Sequence, residues 1–281
     1  MAIAVKELTY IYQPGTALER SGVCGIDLTV KDGEFVGILG ASGSGKSTFL
    51  QLLNGSLKPT ARSSVRVGGV DINAKATSLP DIVSQVALSF QYPEHQLFCD
   101  TVEEEIAVGC RNLGFSEQET QAAVEKYSAA LGLTGDYLLR SPFELSGGEK
   151  RRVALASILA MDTPILLLDE PTVALDQRGR RLVTKLVATL NREQGRTVLW
   201  VGHDIREIAA LATRLLIFHR GAIVLDGATE EILGKREELK KYGILSADKA
   251  SLERELRKKF GEKSNTPSGR LISGYLQGEE N

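Results

Sequence analysis

Residues 3–9 and 26–30 alternate apolar with polar side chains, the period-two pattern of half-buried antiparallel strands. Between them, Tyr10-Ile11-Tyr12-Gln13-Pro14-Gly15 reads as a turn carrying two tyrosines. Apolar runs then mark further strands at Phe35 to Leu39, Val83 to Phe90, Ile165 to Leu168 and Thr197 to Val201. The run Ile165-Leu166-Leu167-Leu168 lacks any alternation, which fits a parallel strand covered by helices on both faces. Ser63 to Ile72 predicts a strand pair around Gly68-Gly69. Leu215 to Phe218 and Ala222 to Leu225 predict a closing hairpin around Arg220-Gly221.

Helices are announced by their caps. Thr101 with Glu104 and Ser116 with Glu119 have capping-box spacing, and Val124, Tyr127 and Leu131 recur at helical intervals in the second segment. No strand candidate interrupts the stretch from Thr101 to about Met161, which is expected to form a helical subdomain beside the sheet. Leu145-Ser146-Gly147-Gly148-Glu149 ends a loop ahead of Lys150-Arg151-Arg152-Val153-Ala154-Leu155-Ala156. Three cations in a first helical turn oppose the macrodipole, which favours acids there by about 0.3–1 kcal/mol each. Either a nearby anion removes the conflict, or these side chains turn to solvent or to Glu144 and Glu149. Asp176 is placed to cap a helix carrying Leu182, Val183, Leu186, Val187 and Leu190, with Gly195 as its stop. Beyond Thr229 the chain becomes charged; Ser246 is expected to cap a helix through Phe260, and a polar tail follows from Glu262.

The length of 281 residues suits one large α/β domain with an appendage, or two small domains. At 42% hydrophobic and 25% charged, the composition is that of an ordinary soluble globular protein. A formal charge of -2 supplies no long-range attraction to nucleic acid, and none is expected as a partner. Cys24, Cys99 and Cys110 cannot all pair within the chain and lack metal-ligand spacing, which favours a reducing compartment. Residues 1–7 lack the basic start and apolar core of a secretory signal, and no stretch reaches the roughly 18 uncharged apolar residues that span a bilayer. Action at a membrane therefore calls for partners that supply the spanning helices.

The chemistry-bearing stretch is Gly40-Ala41-Ser42-Gly43-Ser44-Gly45-Lys46-Ser47-Thr48, set between an apolar strand and the helix-like Phe49-Leu50-Gln51-Leu52-Leu53. A strand turning through glycines into a helix N-terminus is the setting of a phosphate-binding loop: backbone N–H groups face phosphate oxygens and the helix dipole favours an anion. Lys46 is expected to reach the β- and γ-phosphates, and the Ser47 hydroxyl suits Mg2+, a hard cation that takes oxygen ligands. Asp169 and Glu170 end the strand that begins at Ile165. An unpaired buried carboxylate is strongly penalised, so they are expected at the sheet rim, where α/β folds bind ligands. The strand ending at Val201 brings Gly202-His203-Asp204 to that rim, which favours a chemical role for His203 over a structural one. His95 and His219 have no such setting. Tyr12 has two readings, adenine stacking or plain packing. Gln91-Tyr92-Pro93-Glu94-His95-Gln96-Leu97-Phe98 is, taken alone, a surface loop.

Together these segments resemble the nucleotide-binding subunit of ATP-binding cassette (ABC) transporters, over most of residues 3–228 and in the family's order. Gly40 to Ser47 matches its Walker A loop, Gln91 its glutamine loop, and Leu145 to Glu149 its signature loop, with Glu149 where many members have Gln. Ile165 to Asp169 matches Walker B, Glu170 the catalytic carboxylate, Ala174-Leu175-Asp176 the D-loop with Ala for the commoner Gly, and His203 the switch histidine. Tyr12 lies where the family has its adenine-stacking aromatic. Phe90 to Phe98, Leu145 to Arg152 and the extension after Thr229 are similar to energy-coupling factor (ECF) transporter ATPases, subunits that drive uptake of vitamins or transition-metal ions.

The resemblance implies a P-loop NTPase of ABC type: an α/β fold with a mixed core sheet, an antiparallel β subdomain, a helical signature subdomain and a C-terminal helical extension. It implies an ATPase domain over residues 1–228 and an extension over residues 229–281. It further implies that Ser146, Gly147 and Gly148 of one subunit contact the γ-phosphate held by Lys46 of another, whether a copy or a paralogue, so that two subunits enclose two ATP molecules. Mg2+ falls to Ser47 and Asp169, with Gln91 coordinating or sensing it; water activation falls to Glu170, and γ-phosphate stabilisation to His203 and Lys46. Gly40, Ala41, Ser42, Gly43, Ser44, Gly45 and Thr48 join the nucleotide site, as does Asp176. Membrane-embedded transporter and substrate-binding subunits are the implied partners, which places the chain peripherally on the cytoplasmic side of the cell membrane. Two other readings are a soluble, non-transport member of the superfamily and a nucleotide-sensing module without turnover.

Overall fold

A computed structural model of the chain describes residues 1–61 and 63–244. The first half runs β1 (Ile3–Tyr12), β2 (Arg20–Val30), β3 (Phe35–Gly40), α1 (Lys46–Leu53), β4 (Ser64–Val67), β5 (Val70–Asp71), α2 (Leu79–Val83) and β6 (Val86–Ser89). Then come α3 (Val102–Asn112), α4 (Glu117–Ala130), α5 (Gly147–Ala160), β7 (Ile165–Asp169), α6 (Gln177–Gln194) and β8 (Thr197–Val201). The described part closes with α7 (Ile205–Ala209), β9 (Arg214–His219), β10 (Ala222–Ala228), α8 (Thr229–Gly234) and α9 (Arg236–Lys241).

Two sheets result. The larger has the order β10-β9-β3-β8-β7-β6, parallel from β9 to β6 with β10 antiparallel at its edge. The smaller, β2-β1-β4-β5, is antiparallel throughout. Strands buried on both faces carry apolar residues at every position, and each of the central strands divides them between two cores. Phe35, Leu39, Leu166, Leu168, Val198 and Trp200 enter the core shared with the helical segments, while Val36, Ile38, Leu167, Leu199 and Val201 enter the one beneath α1 and the small sheet.

The capping boxes at Thr101 and Ser116 both form, with the Ser or Thr oxygen accepting the N–H three residues on and the Glu carboxylate accepting in return. Val124, Tyr127 and Leu131 are buried, and α3, α4 and α5 pack against one another. Asp176 caps α6 and Gly195 ends it with φ 69°. The start of the extension packs on the body: the Thr229 hydroxyl donates to the Ala212 carbonyl at 2.6 Å, and Ile232 and Leu239 are fully buried. The expected helix from Ser246 to Phe260 lies outside the described residues.

Three expectations are corrected. Tyr10 and Tyr12 are strand residues, because β1 continues to Tyr12, opposite Arg20 of β2, past irregularities that interrupt simple alternation after Val5. The strand expected from Val83 begins only at Val86, since Ser78 and Asp81 form a capping box that starts α2 ahead of it. Helix α5 starts at Gly147, capped by Ser146 through a further box with Glu149, so the basic residues follow an acidic first turn. That box has the same cap-to-Glu spacing as those at Thr101 and Ser116.

Phe49 fastens α1 to the sheet: it is fully buried, with its ring centroid 5.3 Å from that of Phe218. Phe49→Ala is expected to lower the unfolding free energy by about 3–5 kcal/mol in chemical denaturation, as loss of a fully packed aromatic does; a loss well under 1 kcal/mol would contradict this packing.

Candidate nucleotide site

Strands β3, β8, β7 and β6 are consecutive and parallel, so their C-terminal ends lie along one edge of the sheet. The segments expected to carry chemistry leave from that edge: Gly40 onward from β3, Gly202-His203 from β8, Asp169-Glu170 from β7 and Gln91 from β6. Cross-strand bonds hold them in register, with Glu170 N–H donating to the Val201 carbonyl at 2.9 Å and Gly202 N–H to the Ile38 carbonyl at 3.2 Å.

The loop after β3 needs its glycines for space as well as for φ. A Cβ on Gly40 would stand 2.5 Å from the Phe218 carbonyl oxygen; one on Gly45, whose φ is +103°, would stand 2.4 Å from that of Gly22. Ala41, Ser42 and Gly43 form the exposed tip, and Ser44 is buried beneath it. Gly45 caps α1 without a side-chain bond, and no acidic residue occupies the first turn. Its leading N–H groups thus remain directed at the loop, the arrangement that binds phosphate.

Lys46 folds back into this loop, its ammonium donating to the carbonyls of Gly40 at 2.8 Å and Ala41 at 3.0 Å. Burial lowers its pKa, and the Glu170 and Asp169 carboxylates pull it part of the way back. Burial conversely raises the Asp169 pKa, against a hydrogen bond with the Ser47 hydroxyl. Among the described residues Asp169 Oδ1 has no hydrogen-bond partner although it is buried. Paired with the Ser47 oxygen, it makes a donor set suited to a hard divalent cation. Glu170 is 7% exposed and touches His203 Nε2. Both carboxylates lie at the rim, as expected, yet far more deeply than a rim position requires. The backbone of Glu170 has φ +53°, in the left-handed region where a non-glycine side chain is strained.

The other expected residues fall into two groups. The Tyr12 hydroxyl is 2.8 Å from Thr48 Oγ1, which places its ring beside the loop, with the Arg20 guanidinium 4.8 Å from the ring centroid. Gln91 is reached through its backbone, whose carbonyl accepts from Arg151 at 2.8 Å. The structure does not join Ser146, Gly147, Gly148 or Asp176 to the loop. Ser146 donates to Glu149 Oε2 at 2.6 Å, a Cβ on Gly147 would meet nothing within 4 Å, and Asp176 is an exposed cap accepting from Gly179 N–H at 2.8 Å. His95 stacks on Tyr92, and His219 lies against Tyr242.

Two contacts escape a reading of the sequence. Glu207, on the helix that follows His203, accepts from the Thr172 hydroxyl at 2.9 Å and so ties the His203 segment to the turn after Glu170; burial raises its pKa. Arg151, inside a basic run, is 1% exposed. Its spacing with Ala154 and Leu155, which set it on the buried face of α5, was the available signal.

Because the folded-state pKa of Asp169 lies above its ordinary 3.8, ionised Asp169 weakens the fold at neutral pH; below 3.8 both states are protonated and the penalty is gone. Asp169→Asn is therefore expected to raise the melting temperature of the nucleotide-free protein at neutral pH, and the gain should shrink on acidification. Melting curves over that range check this, and coincident curves at neutral pH would contradict it.

The ABC transporter family model matches residues 23–173. The energy-coupling factor transporter ATP-binding protein EcfA2 of Clostridium perfringens is 44% identical over 260 residues, spanning 92% of this chain and 91% of its own. The protein of the same name from Symbiobacterium thermophilum is 43% identical over 244 residues, 87% of this chain and 84% of its own. Among solved structures, cbiO1 of Clostridium perfringens, described as part of the ABC transporter complex cbiONQ, aligns at 29% identity with a TM-score of 0.72, covering 92% of this chain and 98% of that one. A dimeric ATP-binding cassette in a post-hydrolysis state with ADP and Pi aligns at 29% identity and a TM-score of 0.74, covering 81% and 98%. With the rim geometry, these similarities place the chain: it belongs to the ABC transporter ATPases, among the energy-coupling factor transporter ATP-binding proteins.

Proposed function

We propose that this chain is the ATP-binding and hydrolysing subunit of an ECF-type ABC transporter, powering uptake of vitamins or transition-metal ions through membrane-embedded partner subunits. One observation carries the chemistry: Lys46, Asp169, Glu170 and His203 come together at the C-terminal edge of one parallel sheet. Lys46 leaves its carbonyl partners to hold the β- and γ-phosphates over the N-terminus of α1. His203 turns from Glu170 toward the γ-phosphate, and the carboxylate so released orients and polarises the attacking water. Ser47 and Asp169 would hold Mg2+, with Gln91 coordinating or sensing it. When bound, the ion neutralises phosphate charge and fixes the geometry for in-line attack. Tyr12 stacks on adenine, a role supported by its bond to Thr48.

The same reading makes the site composite. Ser146 and Gly147 are exposed and Gly148 is half-buried at the start of α5, and in a two-subunit sandwich they finish the γ-phosphate site of the neighbour, with Asp176 at the seam. Closure follows because nucleotide touches both halves only when they meet. Among the described residues no helix is long and apolar enough to cross a membrane, in keeping with spanning segments supplied by partners and a peripheral place on the cytoplasmic face. Exposed Tyr92 and Phe98 beside Gln91 give those partners an apolar foothold. Residues 1–228 form the ATPase domain, with its helical subdomain at about 101–161, and residues 229–281 the extension.

Glu170→Gln, assayed in the purified transporter complex, is expected to lower steady-state hydrolysis by roughly a hundredfold or more while ATP binding is kept, because it removes a group used only on the way to the transition state. Undiminished turnover would take Glu170 out of its role.

A further inference from the structure

A guanidinium withdrawn from water needs acceptors around it, and the acceptors of Arg151 come from three places. Its Nη2 donates to the backbone carbonyl of Glu170 at 2.7 Å and to that of Gln91 at 2.8 Å. Its Nη1 stands 3.5 Å from Glu94 Oε1, an ion pair in which Arg151 is 1% and Glu94 18% exposed. Arg151 itself sits on α5, whose N-cap is Ser146 of the signature loop. One nitrogen thus bridges the turn bearing the water-activating carboxylate and the loop bearing the glutamine. The rest of the group reaches the Pro93–Gln96 helical turn, between exposed Tyr92 and Phe98.

We propose that Arg151 is a positioning residue for hydrolysis: it fixes the backbones of Glu170 and Gln91 to helix α5, so that seating the signature loop and aiming the carboxylate are one movement. This rests on the hydrolytic reading above. The Glu170 backbone is held at φ +53°, a conformation that persists only where its surroundings impose it, and three hydrogen bonds hold it: its N–H donates to the Val201 carbonyl, and its carbonyl accepts from Val173 N–H at 3.3 Å and, at the shorter 2.7 Å, from Arg151. The joint also has slack. Nη1 and Glu94 Oε1 are beyond hydrogen-bond distance, and Glu94 Oε2 and Arg151 Nε have no hydrogen-bond partner among the described residues, so a small approach of the Pro93–Gln96 turn to α5 tightens it. Pressure on the Tyr92–Phe98 face is thereby passed to Glu170 without passing through nucleotide.

The test is ATP turnover by the purified full transporter complex with Arg151→Met, Arg151→Lys or Glu94→Gln in this chain, alongside melting curves. Arg151→Met is expected to lower kcat roughly tenfold or more with KM for ATP changed less than about threefold, Arg151→Lys to restore part of the loss, and Glu94→Gln to lower kcat about two- to fivefold. A folded Arg151→Met with wild-type kcat overturns the proposal, as does a fall in turnover that only tracks loss of folded protein. If Arg151→Met does not fold, Arg151→Lys and Glu94→Gln decide, and wild-type kcat in both overturns it. Wild-type turnover separates the two possible failures: absent there, the hydrolytic reading falls and the role of Arg151 with it; present there and undiminished in the variants, only the role of Arg151 falls.

Discussion

Parallel strands end on the same side, and whatever charges follow them share one poorly hydrated volume. Lys46, Asp169 and Glu170 share it here; the attraction between Lys46 and the carboxylates compensates only part of what burial takes from Lys46, and Glu170 repels Asp169. The lysine is pushed toward its neutral form and the aspartate toward its acid form. Groups set against their own ionisation are common where chemistry is done, because a ligand of opposite charge then finds a site already shaped for it. On the proposed reading, a phosphate beside Lys46 and a divalent cation beside Asp169 would each favour the charged form that burial penalises. The same arithmetic limits the stability of the ligand-free fold, in keeping with the trade between stability and a ready site.

Much of this was legible in the sequence, for identifiable reasons. Buried parallel strands leave an unmistakable trace, since both faces demand apolar side chains, and Ile165 to Leu168 and Thr197 to Val201 were placed almost to the residue. Caps are local, and Thr101, Ser116 and Asp176 formed as their spacing predicted. The phosphate loop is legible because its glycines answer steric limits at fixed offsets, at Gly40 against Phe218 and at Gly45 against Gly22. The course of β1 was not, because irregular register breaks alternation just where Tyr10 and Tyr12 lie. Arg151 was hidden for a different reason: its acceptors, Gln91 and Glu170, are distant in sequence and take part through backbone carbonyls, which leave no trace in side-chain identity.

The helical subdomain and the sheet therefore meet through more than packing. Apolar contact between α5 and its neighbours can slide at little expense, whereas a hydrogen bond to a carbonyl fixes direction as well as distance. Directed hydrogen bonds reach the segment after β7, among them the Arg151 bond to the Glu170 carbonyl and the Thr172 hydroxyl bond to the Glu207 carboxylate. The first arrives from the signature side and the second from the helix behind His203. The turn between Glu170 and Asp176 is consequently gripped from both flanks while its middle, at Val173 and Ala174, stays exposed.

Glu170 and Ala174, both non-glycine residues with positive φ, make that turn a loaded spring. A backbone held this way relaxes as soon as its grip loosens, and loosening needs far less heat than melting two cores. Warming should therefore blunt the enzyme while it still looks native: its working range ends where the spring slips, some degrees before the scaffold gives way.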